Sequence, residues 1–98
     1  MTTYDFSKIV SAESLERLYE YYSFDCNLNS LKLHRRISFD EAIGNWVEVN
    51  IYQCQDCNKY WKFRVEYDSH HGYSISCIQP NQNASHYDPN FKFDESEI

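Results

Sequence analysis

Between positions 11 and 22 the chain reads SAESLERLYEYY. Leu15, Leu18, Tyr19 and Tyr22 recur there at the i, i+3, i+4, i+7 spacing of one helical face, which predicts an amphipathic helix. Ser11 is placed to cap it, and Glu13 and Glu16 suit the positive end of its macrodipole. Farther along, the period drops to two. Val47, Val49 and Ile51 alternate with Glu48 and Asn50. Trp61, Phe63, Val65 and Tyr67 alternate with Lys62, Arg64 and Glu66, and Tyr73, Ile75 and Cys77 alternate with Ser74 and Ser76. Alternation of this kind marks strands with one buried face.

Turn placement fixes how such strands pair. A tight turn at 68–72 sets Phe63 opposite Cys77 and Val65 opposite Ile75. A turn centred on Asp56 sets Trp61 opposite Ile51 and Phe63 opposite Val49, so that all the apolar sets share one face. Leu31, Leu33, Ile37 and Phe39 suggest a preceding strand, followed by a loop around Gly44-Asn45. The predicted fold class is α+β: an N-terminal helix packed on a three- to four-stranded antiparallel meander. Ninety-eight residues read as a single small domain, 1–98, with little core to spare. Residues 81–98 are expected to form a largely irregular or loose tail, which Phe91 and Phe93 pin in part while DESEI stays free.

A small core makes a staple useful, and the cysteines offer one. In YQCQDCNKYW, Cys54 and Cys57 sit at a turn between strands. A Cys-x-x-Cys turn aims two thiolates at one ion, and Zn²⁺ takes four ligands in a tetrahedron. A redox pair would instead open a helix in a βαβ setting, and these flanks are strand-like. Cys26 precedes the first strand and therefore enters at the same end of the sheet. The fourth ligand is open between His34, His86 and Cys77. His34 falls near Cys54 if residues 40–48 form a broad loop, whereas a tighter hairpin displaces it by about two residues, or ~7 Å. Cys77 reads more simply as a small buried residue. His70 and His71 lie at the far turn, one strand away from Cys57. The preferred set is Cys26, His34, Cys54 and Cys57 around a structural Zn²⁺.

Residues 26–67 thereby resemble a zinc ribbon: a first ligand pair, a hairpin, then YQCQDCNKYW as the second knuckle. The first pair departs from the ribbon pattern, with seven residues between Cys26 and His34 in place of two. A small, acidic, aromatic-rich body carrying such a ribbon is also similar to small bacterial immunity proteins that neutralise toxins. That resemblance implies a protein partner.

Charge bears on the partner. The net charge is −6, carried as −3 on residues 1–29, +1 on 30–66 and −4 on 67–98. Such a balance disfavours nonspecific nucleic-acid or membrane binding and suits a basic protein. The expected partner surface comprises Glu13, Glu16 and Glu20 of the helix with Asp94 and Glu95 of the tail, near Asp88 and Glu97. The alternative is a nucleic-acid or transcription-associated role, with Lys32, Arg36, Trp46, Tyr52, Tyr60, Lys62 and Arg64 sharing a cationic, aromatic sheet face that suits stacking on single-stranded bases. An enzyme is not expected: a cysteine-rich zinc site is closed, and two glycines leave no phosphate-cradling loop. MTTYDFSKIV reads as no signal peptide, and no apolar run approaches a membrane span, so the expected location is the cytoplasm.

Overall fold

The computed structural model describes residues 10–83 and 88–98. Helix α1 spans Ala12–Tyr21, and Ser11 caps it by accepting the Ser14 N–H at 3.1 Å. After Tyr22 the chain turns at Ser23, which lies in the left-handed region (φ 56), and the Phe24 N–H reaches back to the Leu18 carbonyl. That reversal carries Phe24 and Cys26 under the helix. A 3₁₀ turn, Leu28–Ser30, capped by Asn27, leads into the sheet.

Four strands follow, β1 (Leu31–Ala42), β2 (Asn45–Cys54), β3 (Tyr60–Asp68) and β4 (Gly72–Ile78), in the order β1-β2-β3-β4, each antiparallel to the next. This is the expected helix on a four-stranded meander. The β3–β4 hairpin has the expected register, with Phe63 opposite Cys77 and Val65 opposite Ile75. Asp68 organises its turn by accepting the His70 and His71 backbone N–H groups, and Gly72 supplies a positive φ of 76.

The β2–β3 pairing differs from the expected one by a single residue. Trp61 lies opposite Tyr52, not Ile51, and Phe63 opposite Asn50, not Val49. Side chains alternate with period two, so this slip sends the whole of β2 to the other face. Tyr52 and Cys54 point toward α1, and Val47, Val49 and Ile51 point away. The polar members of the strand go inward with them: Glu48 is 4% and Asn50 3% exposed. The Asn50 Oδ1 atom has no hydrogen-bond partner among the described residues.

Both faces of the sheet are therefore covered. The helix face holds Leu18, Tyr22, Phe24, Tyr52, Trp61, Phe63, Val65, Ile75 and three of the four cysteines in one apolar cluster. Phe24 meets Trp61 and Phe63 edge-on, with ring centroids 5.0 and 5.7 Å apart. The opposite face holds Ile51, Ile78, Phe91 and Phe93, with Ile37 and Tyr60 against them. Phe91 and Phe93 pin the C-terminal segment as expected. The end of the chain is not loose, however. DESEI forms a 3₁₀ turn, Glu95–Glu97, with a capping box at Asp94, and Glu97 is tied to Lys62 at 2.7 Å.

Among the described residues, no helix is long and apolar enough to cross a membrane.

Candidate metal centre

Two chain segments meet at one end of the helix face. The turn after α1 brings Cys26, and the loop between β2 and β3 brings Cys54 and Cys57. Their three sulfurs all lie within 4.8 Å of one another. The Cys26 and Cys57 sulfurs are 3.3 Å apart. Four thiolates around Zn²⁺ at ~2.3 Å would stand roughly 3.8 Å apart, so the observed spacing brackets that of a metal–thiolate site.

The local backbone makes the knuckle. The Cys54 N–H donates to the Lys59 carbonyl at 2.9 Å, and the Asn58 N–H donates to the Cys54 carbonyl at 2.8 Å. Asn58 then adopts a φ of 63, a conformation that Asn tolerates better than most side chains. The Lys59 N–H is thereby aimed at the Cys57 sulfur. Two contacts lock this loop to the first segment: the Gln55 N–H bonds the Ser30 carbonyl at 2.8 Å, and the Ser30 hydroxyl bonds Asp56.

The thiols differ in proton affinity. Burial pushes the Cys26 thiol up to about 12, against the pull of the Trp61 indole N–H that donates to it at 3.3 Å. Cys57 is exposed, and its thiol is held below the ordinary value by the Lys59 N–H and then by the Cys26 S–H. In this arrangement Cys26 keeps its proton and Cys57 gives its up more readily. A cation at the centre would favour the thiolate form of all three. Three sulfurs, with N–H donors stabilising two of them, could hold a metal ion such as zinc.

The other expected ligands fare differently. His34 is not with the cysteines. The β1–β2 turn is tight, with Ala42 paired to Asn45 around Gly44 (φ 80), so Leu31, not His34, faces Cys54. A bulge between Leu33 and Arg35 accommodates His34, whose ring lies edge-on to Tyr60 at 4.9 Å on the opposite face of the sheet. Cys77 is buried on the helix face outside the group of three, and its thiol is pushed well above its ordinary range by that burial. His70 and His71 sit in the far turn, where the His71 Nδ1 meets Asp68 at 3.2 Å. His86 lies outside the described residues. Among the described residues, no fourth His, Cys, Asp or Glu joins the three thiols.

The two proposed surfaces are also redistributed. Glu13, Glu16 and Glu20 are exposed along one stripe of α1. Asp94 and Glu95, also exposed, belong to the segment on the opposite face, so the acids form two patches and not one. The cationic, aromatic set is split between the two sides of the sheet, with Lys32 beside Tyr60, Lys62 and Arg64 on one and Arg36 with Trp46 and Tyr52 on the other. The β2 register turns Trp46 and Tyr52 toward α1, where Tyr52 is buried, and leaves Tyr60, Lys62 and Arg64 on the other side. There Lys62 pairs with Glu97, and Arg64 pairs with Glu66 and, at 3.6 Å, with Asp88. No pattern in the sequence marks Trp61, Asp25, Lys59 and Ser30 as neighbours of the site. Asn58 directly after the second cysteine was the available signal for a left-handed turn there.

No family model, curated protein or solved structure matches the chain.

Proposed function

We propose that this chain is a non-enzymatic protein-binding module clasped by a structural zinc ion in the manner of a zinc ribbon. Its acidic helix face would engage a basic protein such as a toxin, as an inhibitor or immunity protein does. The observation that carries the reading is the convergence of Cys26, Cys54 and Cys57 from two separate segments. An ion held there ties the turn after α1 to the β2–β3 loop and so fixes the helix on the sheet. The exposed stripe of Glu13, Glu16 and Glu20 is then presented on a rigid support. Charge of that kind speeds encounter with a complementary surface and selects against acidic ones.

Two measurements test this reading. Elemental analysis of protein purified without chelator should find one zinc per chain; folded protein with no metal would sink the clasp. For the partner, affinity capture from extracts of the native cell should compare the wild type with a Glu13→Lys, Glu16→Lys, Glu20→Lys variant. A basic protein retained by the first and lost by the second is the expected result. Equal retention by both would remove the helix face from the reading.

A further inference from the structure

The three sulfurs of the cluster are unequal in access. Cys57 is exposed, whereas Cys26 and Cys54 are buried behind it. The Cys26 sulfur lies 3.3 Å from that of Cys57, and a covalent S–S bond is about 2.05 Å. A modest approach of two side chains on surface-adjacent loops would therefore join them. Cys26 is held in place by the Trp61 indole N–H and by the position of Phe24 two residues before it. Cys77, 1% exposed and outside the cluster, is shielded from reagents.

We propose that the cluster is also a site of thiol–disulfide exchange, whose reagent is a low-molecular-weight disulfide of the glutathione type. The Cys57 sulfur attacks one sulfur of the reagent, forming a mixed disulfide and releasing one reagent thiol, which takes up the Cys57 proton. The Cys26 sulfur then attacks the Cys57 sulfur of that mixed disulfide. A Cys26–Cys57 bond forms and the second reagent thiol leaves with the Cys26 proton. Two protein thiols are oxidised and one small disulfide is reduced to two thiols, so atoms and electrons balance. The proposal rests on the zinc reading in one respect: the sulfurs consumed are two of the three that would hold the ion. Where an ion is held the sulfurs start as thiolates, so the two leaving reagent thiolates take their protons from water. Exchange would release the metal and leave a covalent tie between the same two segments.

Full-length protein, as purified and after chelator treatment, is incubated with oxidised glutathione and mapped by non-reducing peptide mass spectrometry. Metal release is followed with a chromophoric chelator. The expected product is a Cys26–Cys57 cross-linked peptide with Cys54 and Cys77 free. Cys26→Ser should trap glutathione on Cys57, and Cys57→Ser should give neither adduct nor cross-link. Should either variant fail to fold, the wild-type peptide map alone decides. A first adduct on Cys54 or Cys77, a Cys26–Cys54 pairing, or no cross-link at all would overturn the proposal. Metal content is measured beforehand, so zinc without the cross-link removes only the exchange, and the cross-link in protein that never held zinc removes only the clasp.

Discussion

The two faces of the sheet are closed by different means. On the helix face, a contiguous apolar cluster around Trp61 and Phe63 ends at the three sulfurs, which belong to segments about thirty residues apart. On the opposite face, a smaller cluster of Ile51, Ile78, Phe91 and Phe93 is bordered by charged contacts of Lys62 with Glu97 and with the Lys92 carbonyl, and of Arg35 with the Glu97 carbonyl. One face relies on burial and a candidate metal tie, the other on two aromatic anchors and hydrogen-bonded charge. The difference implies that the first face sets the stability of the fold and that the second adjusts it.

The largest effect should come from the thiol end. In thiolate-rich zinc sites the binding energy is folding energy, on the order of 10 kcal/mol. The whole stability of a domain this size is about 5–15 kcal/mol. Chelation or Cys54→Ser should therefore lower the denaturant midpoint more than any single core truncation does. Cys77→Ser, at an equally buried cysteine outside the cluster, should cost only about 1–3 kcal/mol. Equal losses for Cys54 and Cys77 in paired urea melts would erase the distinction between the three-thiol end and the plain core.

Next come the aromatic anchors. Phe63→Ala on the helix face should cost about 3–5 kcal/mol, because its ring meets Phe24 and Tyr52 and a cavity would remain. Phe93→Ala should cost less, since its ring belongs to the smaller apolar cluster. The sharper test is metal content. Phe93→Ala should retain whatever metal the wild type holds, because the ring packs on the face away from the sulfurs. Loss of metal on that substitution would mean that the two faces are coupled.

How much of this was legible in the sequence depends on what enforced each feature locally. Ser11 capped the helix where its hydroxyl predicted, and Asp68 with Gly72 dictated the β3–β4 register within a few residues. The β2 register had no such local signal. Its Val–Glu–Val alternation pointed to an apolar odd face, and that face is indeed covered, but by Phe91 and Phe93 from forty residues away. A strand with both faces covered loses the cue that polarity supplies, so its pattern fits two registers one residue apart. At the site, the Cys-x-x-Cys turn and the chain path of Cys26 were readable, and the three cysteines do meet. His34 was not readable, because its place depends on a two-residue turn and a bulge, each of which shifts the register.

A smaller effect is expected at the Lys62–Glu97 pair, whose side chains are 13% and 29% exposed. Partial burial raises the Glu97 carboxyl, but the Lys62 ammonium and the Asp94 backbone N–H outweigh it and hold the group below its ordinary value of 4.5. A lowered folded-state value means that the pair stabilises the fold above the unfolded value, and that the contribution fades as pH falls through the folded one. Glu97→Gln should cost about 1–2 kcal/mol at neutral pH. The difference from wild type should begin to shrink as the pH falls below the ordinary carboxyl value of about 4.5, and should close only below the lower folded-state value. A gap that persists at acid pH would assign the role of Glu97 to its Asp94 capping contact instead.

The smallest effect should belong to the other lysine–carboxylate pair, Lys59–Asp25, at the rim of the sulfur cluster. Its 2.5 Å separation is shorter than that of Lys62–Glu97, so distance alone would rank it as the stronger pair. Exposure reverses the ranking, because its side chains are 40% and 56% exposed to water. Screening and the entropy of holding two mobile side chains then cancel most of the attraction. Lys59→Ala should leave the denaturation midpoint unchanged within error, and raising the salt should not separate the variant from wild type. Metal content should not change either, because Lys59 serves the cluster through its backbone, which the substitution keeps: its N–H meets Cys57 and its carbonyl accepts from Cys54. If Lys59→Ala proved as damaging as Glu97→Gln, or lost metal, the rim charge would have to be counted as part of the site.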